Sequence, residues 1–371
     1  MALFPAFGKA PTGERLQRIL QSPNYREGSF QNLVPTEMSL KDVSIFKVLR
    51  EFMRKPANTV PPKPIPFVRT DLRALPDDGV SIVWFGHSSY LLKIDGVHIL
   101  VDPVFSRNAS PFRWFAKAFP GTDSYGADNM PDKIDILLLT HDHYDHLDYK
   151  TVRRLKDRVG HFYTSLGVGS HLESWGIPGE RITELDWWES CAVTPAGGAV
   201  APLGAGGSRG GVMAPVDGAA WARLTATPAR HFSGRSLKRN KTLWSSFVLK
   251  VGGRSFFLGG DSGYGEHFKE IGERFGPFDL AMLECGQYGK YWPHIHMFPE
   301  QTVQAAQDLK AKKVLPVHWA KFTLALHPWN EPIRQLTAAA GKAGQHITTP
   351  LIGQPVVLGH HYPSSDWWDL A

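Results

Sequence analysis

THDHYDHLD, residues 140–148, is the stretch on which the reading of this chain turns. It follows Ile134–Leu139, a nearly continuous apolar run of strand length, the pattern of a strand buried on both faces. Three imidazoles and several carboxylates in nine residues would load an ordinary core with polar surface. Neutral imidazole and carboxylate are, however, good ligands for zinc and similar divalent ions. On a turn between a strand and a helix, His141 and His143 can face one ion. Asp145 and His146, a step further on, can face a second. The plainer alternative is a His-rich surface loop, and the spacing at a strand end argues against it.

Outward from this turn, both kinds of strand pattern occur. Residues 80–85, Tyr90–Ile94 and Val97–Val101 are β-rich runs, the last two joined by Asp95-Gly96, a hairpin signal. Residues 224–227, Ser246–Val251, 255–258, Leu280–Glu284 and Val314–Val317 extend the series, with a Gly252-Gly253 turn between the second and third. Helical patterns fall at 149–158, 265–275 and 299–310, where Pro299 opens a helix whose first N–H would be unpaired anyway. Strands interleaved with helices predict sheet layers covered by helices on their outer faces.

The 371 residues are 42% apolar and 20% charged, which fits a soluble chain with a sizeable core. The formal charge of +6 favours anionic partners in general rather than nucleic acid in particular. The N-terminus lacks the apolar stretch of a signal peptide, giving an expectation of a cytoplasmic protein. Cys191 and Cys285 are too few for a disulfide framework and are read as buried thiols. Residues 1–78 read as an N-terminal extension with an amphipathic helix at 39–54 and a stiff Pro-rich linker at 56–66 without regular structure. The helix is expected to pack on the main domain; contact with the inner face of a membrane is the alternative. The main domain runs over 79–362 and contains a Gly/Ala-rich insertion at 196–219. Residues 363–371 read as a C-terminal tail.

The HxHxDH run strongly resembles the metallo-β-lactamase superfamily. The surroundings are similar to its branch containing N-acyl-phosphatidylethanolamine-hydrolysing phospholipase D and bacterial relatives. That resemblance rests on WFGHSSYLLKIDG (84–96), LVDPVFSRNASP (100–111), PARHFSGR (228–235), GGDSGYG (259–265), HIHMFPEQ (294–301) and VHWAKF (317–322). It implies an α/β fold, an αββα sandwich of two mixed β-sheets flanked by helices. It also implies the ligands that the local run cannot supply. His231 matches the third histidine of the first metal site, Asp261 the bridging carboxylate, and His318 the remaining ligand of the second. With His141, His143, Asp145 and His146 they make a seven-ligand site for two divalent ions, zinc first, with manganese or iron also accepting such donors.

Asp102 resembles the superfamily's aspartate that orients the metal loop through hydrogen bonds, and Asp148 is given a similar role. His87 and His296 match histidines of the branch. His296 is read as a substrate contact or proton donor, and His87 as either a functional partner or a satisfied core histidine. Asp145, Asp261 and His296 are the candidate catalytic residues. The implied chemistry is hydrolysis by a hydroxide bridging the two ions.

For the substrate, Arg235 and Lys238 can offer cations to a phosphate, or belong to a basic surface loop. Tyr288 and Trp292, with Tyr291 and Phe298, can line an acyl channel or pack the core. The reading is a phosphodiesterase of phospholipase D type acting on a small-molecule or phospholipid substrate. An ester, lactone or amide hydrolase and a non-catalytic lipid-binding member are the alternatives. Nuclease members carry a large inserted domain not seen here. Oxygen-reducing di-iron relatives have glutamate at the position of His143 and need a flavin module.

Overall fold

The computed structural model describes residues 5–37, 50–51, 53–112, 114–195, 220–235 and 238–370. A small hairpin, β1 (Tyr25–Arg26) and β2 (Ser29–Phe30), precedes the main sheets. β3 (Val80–Trp84), β4 (Tyr90–Ile94) and β5 (Val97–Val101) form an antiparallel meander. Parallel strands β6 (Ile134–Leu139), β7 (Val159–Ser165) and β8 (Ile182–Leu185) extend it. The second sheet holds β9 (Ser190–Val193), β10 (Ala222–Thr227), β11 (Ser246–Val251), β12 (Arg254–Leu258), β13 (Leu280–Glu284) and β14 (Val314–Val317), in the order β14-β13-β12-β11-β10-β9. β15 (Pro355–Val357) returns to the first sheet beside β3, giving the order β15-β3-β4-β5-β6-β7-β8. Both sheets are mixed, and helices flank them.

The apolar runs explain this layering. Every residue of β6 is buried, and Ile99, Ile136 and Leu138 of the first sheet meet Val193, Leu224, Leu249 and Leu258 of the second. On the outer face of the second sheet, Val248, Phe257 and Leu283 pack with Phe268, Ile271 and Phe275 of helix His267–Phe275. Ala305 and Ala306 of helix Pro299–Asp308 join the same cluster. The turn after β4 places Asp95 and Gly96 at φ 47° and 82°, and the turn after β11 places Gly252 and Gly253 at 54° and 75°. Positive φ at both central residues is what a tight right-twisted hairpin requires.

Several expectations need correction. The helix predicted over 149–158 ends at Leu155; past its end, Arg158 donates its guanidinium to the carbonyls of Ala127 and Pro131. The Pro-rich segment contains one 3-10 turn, Ala57–Thr59, closed by the Thr59 hydroxyl on Pro56 O. Residues 363–370 are no free tail: Trp368 is buried and Trp367 stacks on Trp319 with ring centroids 5.0 Å apart. Part of the N-terminal extension lies against the main domain, with Arg15 paired to Glu173 and Glu184, each at 2.6 Å. Of the helix expected at 39–54, residues 38–49 and 52 lie outside the described residues, as does the insertion at 196–219. Its described end packs inward, Glu51 accepting from the Tyr291 hydroxyl at 2.6 Å. Both cysteines are buried thiols. Among the described residues, no helix is long and apolar enough to cross a membrane.

Candidate metal centre

The site lies where strands end. β6 delivers the 140–148 run, β10 leads to His231, β12 to Asp261 and β14 to His318. The approach of Asp261 depends on two glycines. A Cβ at Gly259 would sit 2.3 Å from Met282 O, and one at Gly260 would sit 2.7 Å from Ser245 O. Only glycine lets this turn press between neighbouring strands.

Three overlapping groups of donors result among the described residues; two are built on the ligands expected from sequence, and the third joins Glu284 and His296 to Asp261 and His318. In the first, His143 Nδ1 is 2.9 Å from His141 Nε2 and 3.1 Å from His231 Nε2. Asp261 Oδ2 stands 3.8 Å from His141 Nε2 and 3.6 Å from His231 Nε2. In the second, Asp261 Oδ1 is 3.1 Å from His146 Nε2 and 3.0 Å from His318 Nδ1. Asp145 Oδ2 is 3.8 Å from His146 Nε2 and 2.9 Å from His87 Nε2. One carboxylate therefore faces both groups, an oxygen to each. His87, read from sequence as a partner or a core histidine, lies inside the second group, within 4.8 Å of its other donor atoms.

Where the ring protons sit explains why these atoms can crowd. His146 Nδ1 is 2.7 Å from Asp102, His231 Nδ1 is 2.9 Å from Ile295 O, and His141 Nδ1 is 3.0 Å from the Thr140 hydroxyl. That hydroxyl donates to Asp102 Oδ2 at 2.6 Å, so it accepts from His141. Each ring spends its proton outward and keeps a bare Nε2 facing inward. His146 Nε2 and Asp261 Oδ1 are buried without a hydrogen-bond partner. Imidazole nitrogens turned inward around a buried carboxylate fit a divalent cation.

Electrostatics point the same way. Burial, reinforced by neighbouring imidazoles, drives His141 and His318 well below the ordinary histidine value. Burial drives His231 well down despite Asp261. Neutral imidazole is the form that ligates. Against burial, Asp261, Asp145 and Asp102 raise His146 well above its ordinary value. Likewise, burial would raise Asp145, but His146 and His87 hold it far below the usual carboxylate range.

The surrounding layer fixes the loop. Asp102 accepts from Thr140 N at 2.9 Å as well as from His146. Asp148 caps helix Tyr149–Leu155 through Lys150 N and accepts from Phe105 N, Ser106 N and the Thr151 hydroxyl. It thus braces the loop after β5 and touches no donor-group residue directly in these bonds. Asp142, not singled out from sequence, accepts from Gly234 N at 2.8 Å and the Thr242 hydroxyl at 2.9 Å, tying the loop to the segment after His231. Asn32 was missed too: it donates to His231 O at 2.8 Å and accepts from His231 N at 3.0 Å. Nothing local in residues 1–37 could reveal that role. His87, Asp102 and His318 hold φ at 53°, 40° and 67°, costly backbone for residues with a Cβ, concentrated at the site.

Arg235 must be reassigned. It is buried, its guanidinium donates to the carbonyls of Ala6, Asp142 and Leu147, and it lies over the Tyr144 ring. Its donors are committed to main chain, so it braces the loop and is not available to a phosphate. Lys238 is exposed on the same segment. Tyr288 donates to Glu331 at 2.8 Å and Trp292 to Gln287 O at 2.9 Å; both line a cavity of about 680 Å³ with Tyr291 and Phe298. Arg50, Arg54 and the pair Lys290–Glu51, at 3.3 Å, also line it.

The chain segment that supplies Tyr288, Tyr291, Trp292 and Phe298 to this cavity also carries His296, whose ring lies 5.0 Å from His231 and 5.1 Å from His318. Glu284, at the end of β13, sits 2.6 Å from His296 Nδ1 and also accepts from Ser262 N and Met297 N. Burial pushes Glu284 up, while Glu284 outweighs burial to lift His296 to about 9. Glu284 was not found from sequence because it reads as the last residue of a buried strand.

Fold and donor groups together define a metal-dependent hydrolase. Residues 98–319 match the β-lactamase superfamily domain, and the chain belongs to that superfamily, among its metallo-β-lactamase hydrolases. It is 38% identical over 357 residues to an uncharacterized protein of Mycobacterium tuberculosis, covering 94% of this chain and 88% of that one. It is 32% identical over 279 residues to the mitochondrial N-acyl-phosphatidylethanolamine-hydrolyzing phospholipase D of Saccharomyces cerevisiae. That match covers 70% of this chain and 52% of the yeast protein, so the chain spans about half that relative's length. Among solved structures, Igni18, a metallo hydrolase from the archaeon Ignicoccus hospitalis, is similar in fold, with a TM-score of 0.53, 20% identity, and 76% and 99% of the two chains covered.

Proposed function

We propose that this protein is a phosphodiesterase of phospholipase D type, hydrolysing an N-acylated or other phospholipid with the help of two divalent ions, zinc foremost. The observation that carries this reading is the aromatic cavity with cationic residues in its lining, built on the same 288–298 segment that holds His296 beside the donor groups. An acyl chain suits the rings of Tyr288, Tyr291, Trp292 and Phe298, and Arg50 and Arg54 suit a phosphate, Lys290 being paired with Glu51 at 3.3 Å. The yeast relative's name points to the same substrate class.

His141, His143, His231 and Asp261 would hold one ion, and Asp145, His146, His318 and Asp261 the other, with His87 steadying Asp145. When bound, such a pair lowers the pKa of a shared water and polarises the phosphoryl oxygen. Asp145 orients the attacking oxygen. His296, held at Nδ1 by Glu284, presents its other nitrogen to the leaving oxygen and supplies the proton. The protein would work in the cytoplasm, at the inner face of a membrane.

The test is an assay of zinc-loaded protein on N-acyl-phosphatidylethanolamine, bis(p-nitrophenyl) phosphate and an acyl lactone. The expected result is release of phosphatidic acid and N-acylethanolamine, abolished in Asp261→Ala. Turnover of the lactone alone would move the protein to the ester-hydrolysing class.

A further inference from the structure

The loop after β5 turns back on itself as a hairpin. Asn108 bridges to Lys117, Ala109 N donates to Ala116 O at 2.9 Å, and Ala118 N donates to Arg107 O at 3.0 Å. Its base is fixed. Phe119 N donates to Lys321 O at 2.8 Å, Ala118 bridges to Phe322, and Ile65 N donates to Pro120 O at 2.8 Å. Gly121, at φ 89°, allows that approach, since a Cβ there would sit 2.2 Å from Ile65 O.

Its tip is unusual. Phe112, Trp114 and Phe115 are 42%, 74% and 61% exposed, and the Phe112 and Trp114 rings stack at 5.2 Å. Three neighbouring aromatics held outward on a braced hairpin form an exposed apolar patch, which marks an interaction surface. Residues 105–122 contain three basic residues, Arg107, Arg113 and Lys117, and no acidic one; Arg107 pairs with Asp123, just beyond, at 2.9 Å, while Lys117 is exposed. Exposed aromatic rings on a hairpin that also presents Lys117 complement an anionic bilayer: the rings enter the headgroup level and the ammonium meets the phosphates.

We infer that the hairpin tip at Phe112, Trp114 and Phe115 docks the protein on anionic lipid surfaces. The base of the hairpin is bonded to Lys321 and Phe322, just beyond His318, so docking holds the metal centre at a fixed orientation to the membrane. Docking does not depend on which bond the enzyme cleaves.

Sedimentation with vesicles of phosphatidylcholine alone, or with about 30% phosphatidylglycerol, tests this at moderate salt. The protein should bind the anionic vesicles several-fold more strongly than the neutral ones, with or without metal. Combined Phe112→Ser, Trp114→Ser and Phe115→Ser should weaken binding by at least about ten-fold, and Lys117→Glu should weaken it selectively on anionic vesicles. The altered side chains are exposed, so thermal melting and metal content should not change. Absence of vesicle binding, or equal binding by the triple variant, would overturn the inference. So would size-exclusion data showing an oligomer that the triple variant breaks to monomers, since the patch would then belong to a second copy of the chain.

Discussion

The Asp102 carboxylate lies 2.7 Å from His146 Nδ1, and this contact turns His146 Nε2 to face Asp261 Oδ1 at 3.1 Å. The same carboxylate holds Thr140 through both its N–H and its hydroxyl, so one buried aspartate sets the ring and the loop that carries it. Asp102→Asn removes the charge while keeping the shape. The expected result is a fall in metal affinity of about 10- to 100-fold, read by competition with a chelating dye. Unchanged affinity would show that the ring is fixed by other contacts.

Glu284→Gln tests how His296 is held. Glu284, with Asp261 and Asp145, raises His296 against the effect of burial. Without the Glu284 carboxylate that support weakens and the proton leaves at lower pH. The alkaline limb of the kcat profile should therefore move toward neutrality, with kcat at pH 8 lower by about 10²-fold and KM little changed. A variant that lost activity without a shift of that limb would reduce Glu284 to packing.

Arg235→Met separates bracing from substrate binding. Removing the guanidinium leaves the carbonyls of Ala6, Asp142 and Leu147 without their donor, which should cost about 3 kcal/mol in denaturant unfolding. Folded variant at low temperature should retain the wild-type KM for a phosphodiester. A large rise in KM with intact stability would restore the substrate role read from sequence.

Lys321 gives a pH-dependent stability. It is buried, donates to Phe85 O at 3.0 Å, and burial lowers it to about 8. The unfolded chain keeps that proton to about pH 10.4. Below pH 8 the full cost of burying the charge is present; between pH 8 and about 10.4 it is relieved, so stability rises with pH through this window. Lys321→Met should be more stable than wild type at pH 7, by at most about 3 kcal/mol, and that advantage should shrink above pH 8 in urea titrations. An advantage independent of pH would mean that Lys321 is already neutral when buried.

Much of this organisation was legible in local sequence. Ile134–Leu139 reads as a buried strand because an apolar run of that length has few other uses, and Asp95-Gly96 specifies its hairpin by backbone conformation alone. β7 was not read, since His161, Thr164 and Ser165 break its apolar pattern; each hydrogen-bonds to a residue on or just past a neighbouring strand. The helix Glu331–Ala343 went unread because it buries only Pro332, Ile333, Leu336 and Ala340. At the site, the residues named from the HxHxDH run and from the resemblance converge on Asp261. Contacts made across long sequence separations, such as Asn32 with His231 and Arg235 with Ala6, leave no periodic trace. Arg235 was misread for that reason: sequence shows a cation near a metal loop, and only the fold shows that its donors are occupied.

Metal content per chain tests the central claim most directly. Protein purified without chelators and loaded with zinc should hold two equivalents by elemental analysis, and Asp261→Ala, which removes the one carboxylate facing both donor groups, should hold fewer than one. Wild-type protein that stays below one equivalent under metal-replete conditions, or an Asp261→Ala variant that still holds two, would contradict the account.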